Sequence, residues 1–426
     1  MKQFSRMLSA VLLLALIGCG TDDSNDNPYD GFERLESDKH RITNPALGQG
    51  ELDELVAGNT AFALDLYQQV RGEDGNLFYS PFSISIALGM TFAGARGQTA
   101  QEMQDTLHFT LGQAGLHPAF NYLDLELAGR EQDPGHDAKD GFKLRVANSI
   151  WGQLNESFVA EFLDALAENY GAGLNLLDFI ADPELCRLTI NTWVEDRTAG
   201  RIEDLLPQGS ITVDTRMVLT NAIYFKAAWN TPFETDNTAD GEFQLLTGGT
   251  VTVPMMHQDE MLPYAEGDGY AAVELPYDGE KLSMVVIVPT DLDTFEAGLT
   301  ADGLDAIIGD LQTHLVTLAM PKFSFESGMS LAQVLADMGM PTAFSAAADF
   351  SGIRASGGLM ITDVFHKAFV GVDEAGTEAA AATAVVVGET SVPEQAELDV
   401  DRPFLFLIRD IPTGAVLFLG RVVDPA

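Results

Sequence analysis

Apolar residues return at helical spacing over 51–70, at Leu52, Leu55, Val56, Phe62, Ala63, Leu66, Tyr67 and Val70, which predicts a helix there. Residues 82–95 and 157–169 repeat the pattern. Elsewhere the apolar runs are shorter and strand-like, at 142–151, 217–227, 283–289, 315–324 and 364–373. A last pair, 403–409 and 415–423, is joined by Asp410-Ile411-Pro412-Thr413-Gly414, which has hairpin turn chemistry. Helices dominate the first half and strands the second, so the pattern predicts an α+β fold. No internal repeat and no Pro/Ser/Gly-rich linker divides 46–426, and one large domain is its simplest organisation.

One stretch breaks this alternation. From Glu374 to Leu398 there is neither an aromatic nor a basic residue. Glu378 and Ala379–Ala382 favour helix, whereas Thr383 to Val387 favour strand. A loop of this length inside a compact domain is uncommon and usually functional. Were 377–387 to become a strand, Thr377, Ala379, Ala381, Thr383, Val385 and Val387 would share one face. That face is small and almost wholly apolar, so it could enter an existing sheet without clash. The other face, Glu378, Ala380, Ala382, Ala384 and Val386, carries the only charge. On the residues alone, an inserting strand and a surface loop of no special role both remain open.

Residues 1–18 read as an export signal. Lys2 and Arg6 precede an 11-residue apolar run, Met7 to Ile17, well short of the roughly 20 residues a membrane-spanning helix needs. Leu16-Ile17-Gly18-Cys19 resembles the bacterial lipobox, in which the cysteine is lipidated and becomes the mature N-terminus. Residues 19–45 then read as an acidic flexible tether, its Gly20–Gly31 portion rich in Asp, Asn and Ser. The expectation is an exported protein held by lipid at the cell envelope, at the outer membrane or cell surface. Cys186, beside a helix start at Asp182-Pro183-Glu184, reads as a small buried residue rather than a nucleophile.

Charge narrows the partners. The 426 residues include 64 acidic and 23 basic ones, a net charge of −41 that deepens to −43 once the signal and its two cations are removed. Such a field repels phosphate backbones and excludes general nucleic-acid binding. Nor do the motifs of common enzyme classes occur: there is no Gly-x-Ser-x-Gly, His-Glu-x-x-His, Gly-x-Gly-x-x-Gly or Walker loop. Neither an enzyme nor a metal or cofactor protein is expected.

Glu374-Ala375-Gly376-Thr377-Glu378-Ala379-Ala380-Ala381-Ala382-Thr383 resembles the reactive-loop hinge of the serpins, a family of protease inhibitors. Further likenesses follow in family order. They are Asn76-Leu77-Phe78-Tyr79-Ser80-Pro81-Phe82-Ser83, Leu219 to Trp229, Met320-Pro321-Lys322-Phe323, His366-Lys367-Ala368-Phe369, and Asp401-Arg402-Pro403-Phe404 with Gly420 to Pro425. The resemblance spans essentially 50–426. It implies three β-sheets, eight or nine helices and an exposed reactive-centre loop. It implies a mechanism too: a serine protease cleaves the loop, and the acyl-enzyme is trapped as the loop inserts into the central sheet. The family's spacing from Gly376 places the scissile bond at Thr390-Ser391, with Glu389 and Val387 as alternative specificity residues. Thr390 points to an elastase-like or subtilisin-like target. Ser80, Ser83, Asn221 and His366 resemble the shutter beneath the sheet, Trp229 the breach, and Glu374 with Lys322 the ion pair at its top. Ala375 departs from the charged or polar residue common there. Residues 115–140 hold only Arg130 and Lys139 as cations, so no heparin-like cofactor is expected. A monomer partnered by a target protease is the leading expectation; a non-inhibitory serpin acting as scaffold, carrier or chaperone is the alternative.

Overall fold

The computed structural model describes residues 31–130, 143–377 and 394–426. Helices lead the chain: α1 (Glu51–Val70), α2 (Pro81–Phe92), α3 (Gly97–Thr106), α4 (Gly112–Arg130), α5 (Ala160–Tyr170) and α6 (Pro183–Arg197), followed later by α7 (Leu292–Gly298), α8 (Ala301–Gly309) and α9 (Ala332–Met338). Strands β1 (Glu33–Leu35), β2 (Leu77–Tyr79), β3 (Lys143–Gln153), β4 (Leu174–Leu177) and β5 (Met217–Ala228) are interspersed among them. The second half supplies β6 (Ala239–Gln244), β7 (Thr250–Gly267), β8 (Tyr270–Pro276), β9 (Leu282–Pro289), β10 (Gln312–Pro321), β11 (Phe323–Ser330), β12 (Val364–Asp373), β13 (Gly376–Thr377), β14 (Gln395–Asp399), β15 (Phe404–Asp410) and β16 (Val416–Val422).

Helix α2 has no polar face because it needs none. All twelve of its residues are buried, and it packs against β3, β5 and β16. Ser80 caps it, its hydroxyl accepting the Ser83 N–H at 3.1 Å, and Pro81 occupies the first turn where a missing N–H costs nothing. Full burial of each large apolar side chain along it stabilises the fold by about 1.5–3 kcal/mol.

Hydrogen bonding joins the strands into two networks among the described residues. The first runs β1-β4-β3-β5-β13-β12-β11, with β5 also pairing β12 directly. The second runs β14-β10-β7-β8-β9-β15-β16-β2, with β6 beside β7. Strand β7 belongs to two sets of neighbours. Thr250–Met255 pair with β6, Met255–Tyr264 with β10, and Tyr264–Gly267 with β8. The second network is therefore two sheets sharing one long strand, which together with the first makes three.

Three segments differ from the sequence reading. The run 315–324 is not one strand: β10 ends at Pro321, which has no N–H to donate, and β11 begins at Phe323 in the other network. Lys322 sits at the crossover. The long loop is shorter than 374–398, because Gln395–Asp399 forms β14, parallel to β10, with Leu398 buried opposite Leu318. Finally, much of 31–45, read as tether, lies against the domain. Strand β1 pairs antiparallel with β4, and the Phe32 ring meets Trp151 edge-on at 4.9 Å. Beyond it, Arg41 donates to Asn121 Oδ1 at 2.8 Å and to Asp124 at 2.5 Å, and the Ile42 N–H donates to Glu168 O at 2.9 Å.

Candidate functional site: the seam between β5 and β12

Strands β5 and β12 run parallel and pair over six positions, from Val364↔Leu219 to Phe369↔Tyr224. Past Tyr224 they part, and β13 occupies the opening. Gly376 and Thr377 pair antiparallel with Ala228 and Ala227 on one side and with Asp373 and Val372 on the other. Gly376 has φ 152°, a conformation L-residues rarely adopt, so a glycine here lets the chain reverse out of β12 and re-enter the sheet beside it. Thr377 is buried, and its hydroxyl lies 2.7 Å from the Tyr277 phenol. Tyr277 stacks on Trp229, with ring centroids 4.7 Å apart and planes 7° from parallel. The indole N–H of Trp229 donates to Asp373 O at 3.0 Å, and its backbone N–H to Ala375 O at 3.0 Å.

Glu374 closes the top of this slot. Its carboxylate accepts from Lys322 Nζ at 2.6 Å and from Thr238 Oγ1 at 2.8 Å, while its own carbonyl accepts the Phe233 N–H at 2.9 Å. Burial raises the Glu374 pKa, but hydrogen bonds from Lys322, the backbone and Thr238 together outweigh it, leaving the carboxyl below its ordinary value.

Below the opening, three polar side chains stand in register across the sheet. Asn148 of β3 is opposite Asn221 of β5, which is opposite His366 of β12. His366 Nε2 accepts the Ser80 N–H at 3.2 Å, so its proton is on Nδ1, which donates to Asn221 Oδ1. The Asn221 amide then donates to Ser83 Oγ at 2.6 Å and to Asn148 Oδ1 at 2.5 Å. Ser80 Oγ donates onward to Leu417 O at 2.6 Å. Complete burial lowers the His366 pKa to about 3, so the ring is neutral and a structural partner rather than a proton donor in catalysis.

The residues singled out from the sequence thus fall into two groups. Glu374, Gly376, Thr377, Trp229 and Lys322 meet at the top of the seam, and Ser80, Ser83, Asn221 and His366 meet below it. Glu378, Ala379, Ala380, Ala381, Ala382 and Thr383 of the hinge, the Thr390-Ser391 bond and Cys19 lie outside the described residues. Two participants escaped the sequence reading. Asn148 was visible as a lone amide in a strand-like run, but its role needs the β3–β5 register. Tyr277 carried no local signal. Cys186 is buried, with its thiol pushed up to about 11 by burial, then by Asp182 and Asp178. Among the described residues no group of three His, Cys, Asp or Glu could hold a metal ion.

The chain that carries this polar latch and the two-residue strand above it matches a known family. The family model described as "Serpin (serine protease inhibitor)" matches residues 57–425. This chain is a serpin. It is 38% identical to an uncharacterized serpin-like protein of Thermococcus kodakarensis over 433 residues, covering 98% of each chain. It is 37% identical to the leukocyte elastase inhibitor of Bos taurus over 387 residues, 88% of this chain and all of that one. Among solved structures, uncleaved ovalbumin superposes with a TM-score of 0.77 at 27% identity, covering 87% of this serpin and 100% of ovalbumin. The thermophilic serpin tengpin in its native state gives 0.79 at 27% identity, covering 92% and 99%. The serpin fold is thus α+β with mixed sheets, and members of the family are mostly protease inhibitors rather than enzymes.

Proposed function

We propose that this serpin is an irreversible suicide-substrate inhibitor of elastase-like or subtilisin-like serine proteases. The observation that carries the reading is the placement of Gly376 and Thr377 between β5 and β12. Each further residue that enters extends the antiparallel register these two begin. Six parallel pairs give way to two antiparallel ladders, which are the more stable pairing per residue. The small face of Thr377, Ala379, Ala381 and Thr383 suits rapid burial, and insertion must outrun deacylation of the protease. Thr390 as the specificity residue fits a small apolar pocket, and similarity to an inhibitor named for leukocyte elastase agrees with that.

Incubation of the soluble domain with elastase, subtilisin, trypsin and a glutamyl protease tests this. An SDS-resistant band at the summed mass supports inhibition. Clean loop cleavage by every protease without such a band favours the non-inhibitory alternative of scaffold, carrier or chaperone. Mass spectrometry of the small C-terminal fragment locates the bond, and a fragment beginning anywhere but Ser391 overturns the Thr390 assignment. We further propose lipidation at Cys19 and retention at the cell envelope. Labelling with a clickable fatty acid, lost in Cys19→Ala, is the expected result; equal labelling of both would sink the anchor.

A further inference from the structure

The first network carries a second built feature, on its other edge. Arg34 of β1 stands opposite Asn175 of β4, and Asn175 stands opposite Trp151 of β3, so guanidinium, amide and indole form one row on one sheet face. Over Trp151 packs Trp193 of α6, edge-on at 5.6 Å, and Arg197, one turn further, lays its guanidinium 5.3 Å from the centre of the Trp193 ring. Arg34, Asn175, Trp193 and Arg197 line a cavity of about 270 Å³, with Phe32 and Met90 among its apolar walls.

Two features of this cavity lack an internal explanation. Asn175 lines the cavity and its side chain makes no hydrogen bond to any described residue, so its amide is free to bond a guest there. Among the described residues of a chain with net charge −41, Arg197 has no carboxylate partner and Arg34 has only Glu36, at 2.7 Å with both side chains about half exposed. Such an exposed pair is weak and readily exchanged. Phe32 and Arg34 precede residue 57, where the family match begins, so this site is assembled partly from residues outside that match.

We propose that the cavity binds a small organic carboxylate with an apolar body. The carboxylate takes the Arg34 and Arg197 guanidiniums, the Asn175 amide completes its hydrogen bonds, and the apolar body rests on Trp193, Phe32 and Met90. The volume lies just below the roughly 300–1,000 Å³ typical of drug-sized ligands, which limits the guest to about the size of benzoate. Binding would join β1 to α6, and it does not depend on the inhibitor reading.

Benzoate is the probe, and tryptophan fluorescence reports it directly, because Trp151 and Trp193 are two of the three tryptophans. Titration of the full domain across the millimolar range should give a saturable change. Arg197→Ala should weaken it roughly tenfold or more, as loss of a charge-assisted hydrogen bond does. Asn175→Asp, isosteric but anionic, should abolish it. Inorganic phosphate should bind more weakly than benzoate, since it leaves the apolar wall unused. No saturable change, equal affinity in wild type and Arg197→Ala, or phosphate binding as tightly as benzoate would each overturn the proposal. Arg197 is exposed, so its variant keeps the test decisive even if Asn175→Asp fails to fold.

Discussion

The Thr377 hydroxyl lies 2.7 Å from the Tyr277 phenol although the two residues are 100 positions apart in the chain. That bond exists only while Thr377 occupies the slot between β5 and β12. Tyr277→Phe keeps the stack on Trp229 and leaves a buried hydroxyl unpartnered, at a cost of about 1–3 kcal/mol. The expected outcome is a hinge that leaves the slot more often, read as faster hydrogen exchange of the Ala227 and Trp229 amides, which face it. Thr377→Arg goes further, since a guanidinium cannot enter the slot. The loop should still be cut while the stoichiometry of inhibition rises steeply, and retained inhibition by that variant would contradict insertion.

Stability should depend on pH through two buried imidazoles. Burial places His366 at about 3 and His117 at about 4, both below the ordinary value near 6.5. The unfolded chain therefore binds more protons than the folded one between those values, and stability present above about 6.5 is lost as pH falls. At pH 5 the loss is about 2 kcal/mol for each histidine. Urea unfolding midpoints at neutral pH and at pH 5 measure it. In His117→Phe the drop between the two conditions should shrink; an unchanged drop would remove His117 from the account.

Much of this seam was legible before the structure. Helix 51–70 follows from spacing alone because its apolar stripe faces the core, and the 403–409 and 415–423 hairpin follows from its turn. Ser80, Asn221 and His366 could be singled out by family likeness. What joins them could not, because Asn148↔Asn221↔His366 is a matter of register between strands far apart in sequence. Local propensity failed where tertiary pairing dominates. Glu33-Arg34-Leu35 is short and charged, and Gln395-Ala396-Glu397-Leu398-Asp399 has poor strand formers, yet both find a sheet edge to pair with.

Residues 32–42 should behave as part of the domain. Ser37 donates to Asp164 at 2.5 Å, and Arg41 reaches Asn121 and Asp124, so the segment ties β4 to α5 and α4. Ser37→Ala with Arg41→Ala removes those ties. Limited proteolysis should then cut within 31–45 faster than in wild type, with a melting temperature lower by a few degrees, as expected for roughly 1–3 kcal/mol. Unchanged cleavage would mean that β1 and the backbone bonds of Ile42 hold the segment without those side chains.

The charge cluster around Arg421 should be the costliest to break. Arg421 lies 3.5 Å from Glu296, which also accepts from the Tyr67 hydroxyl, and it donates to the carbonyls of Arg71, Glu73 and Gly75 at 2.7–2.9 Å. Arg421→Met strands the Glu296 carboxylate and should destabilise the fold by about 3–5 kcal/mol. Adding Glu296→Gln should restore part of that loss, measured by urea unfolding. A single variant as stable as wild type would show the cluster to be dispensable.

Below β13 the six parallel pairs of β5 and β12 can part to admit a single strand. Under the proposed mechanism a molecule that has taken up its loop there cannot act again, so each copy has a turnover number of one. Protection would then scale with how many copies are displayed, not with how fast any of them works. Synthesis rate, rather than catalytic tuning, would be the setting by which the producing cell adjusts its defence.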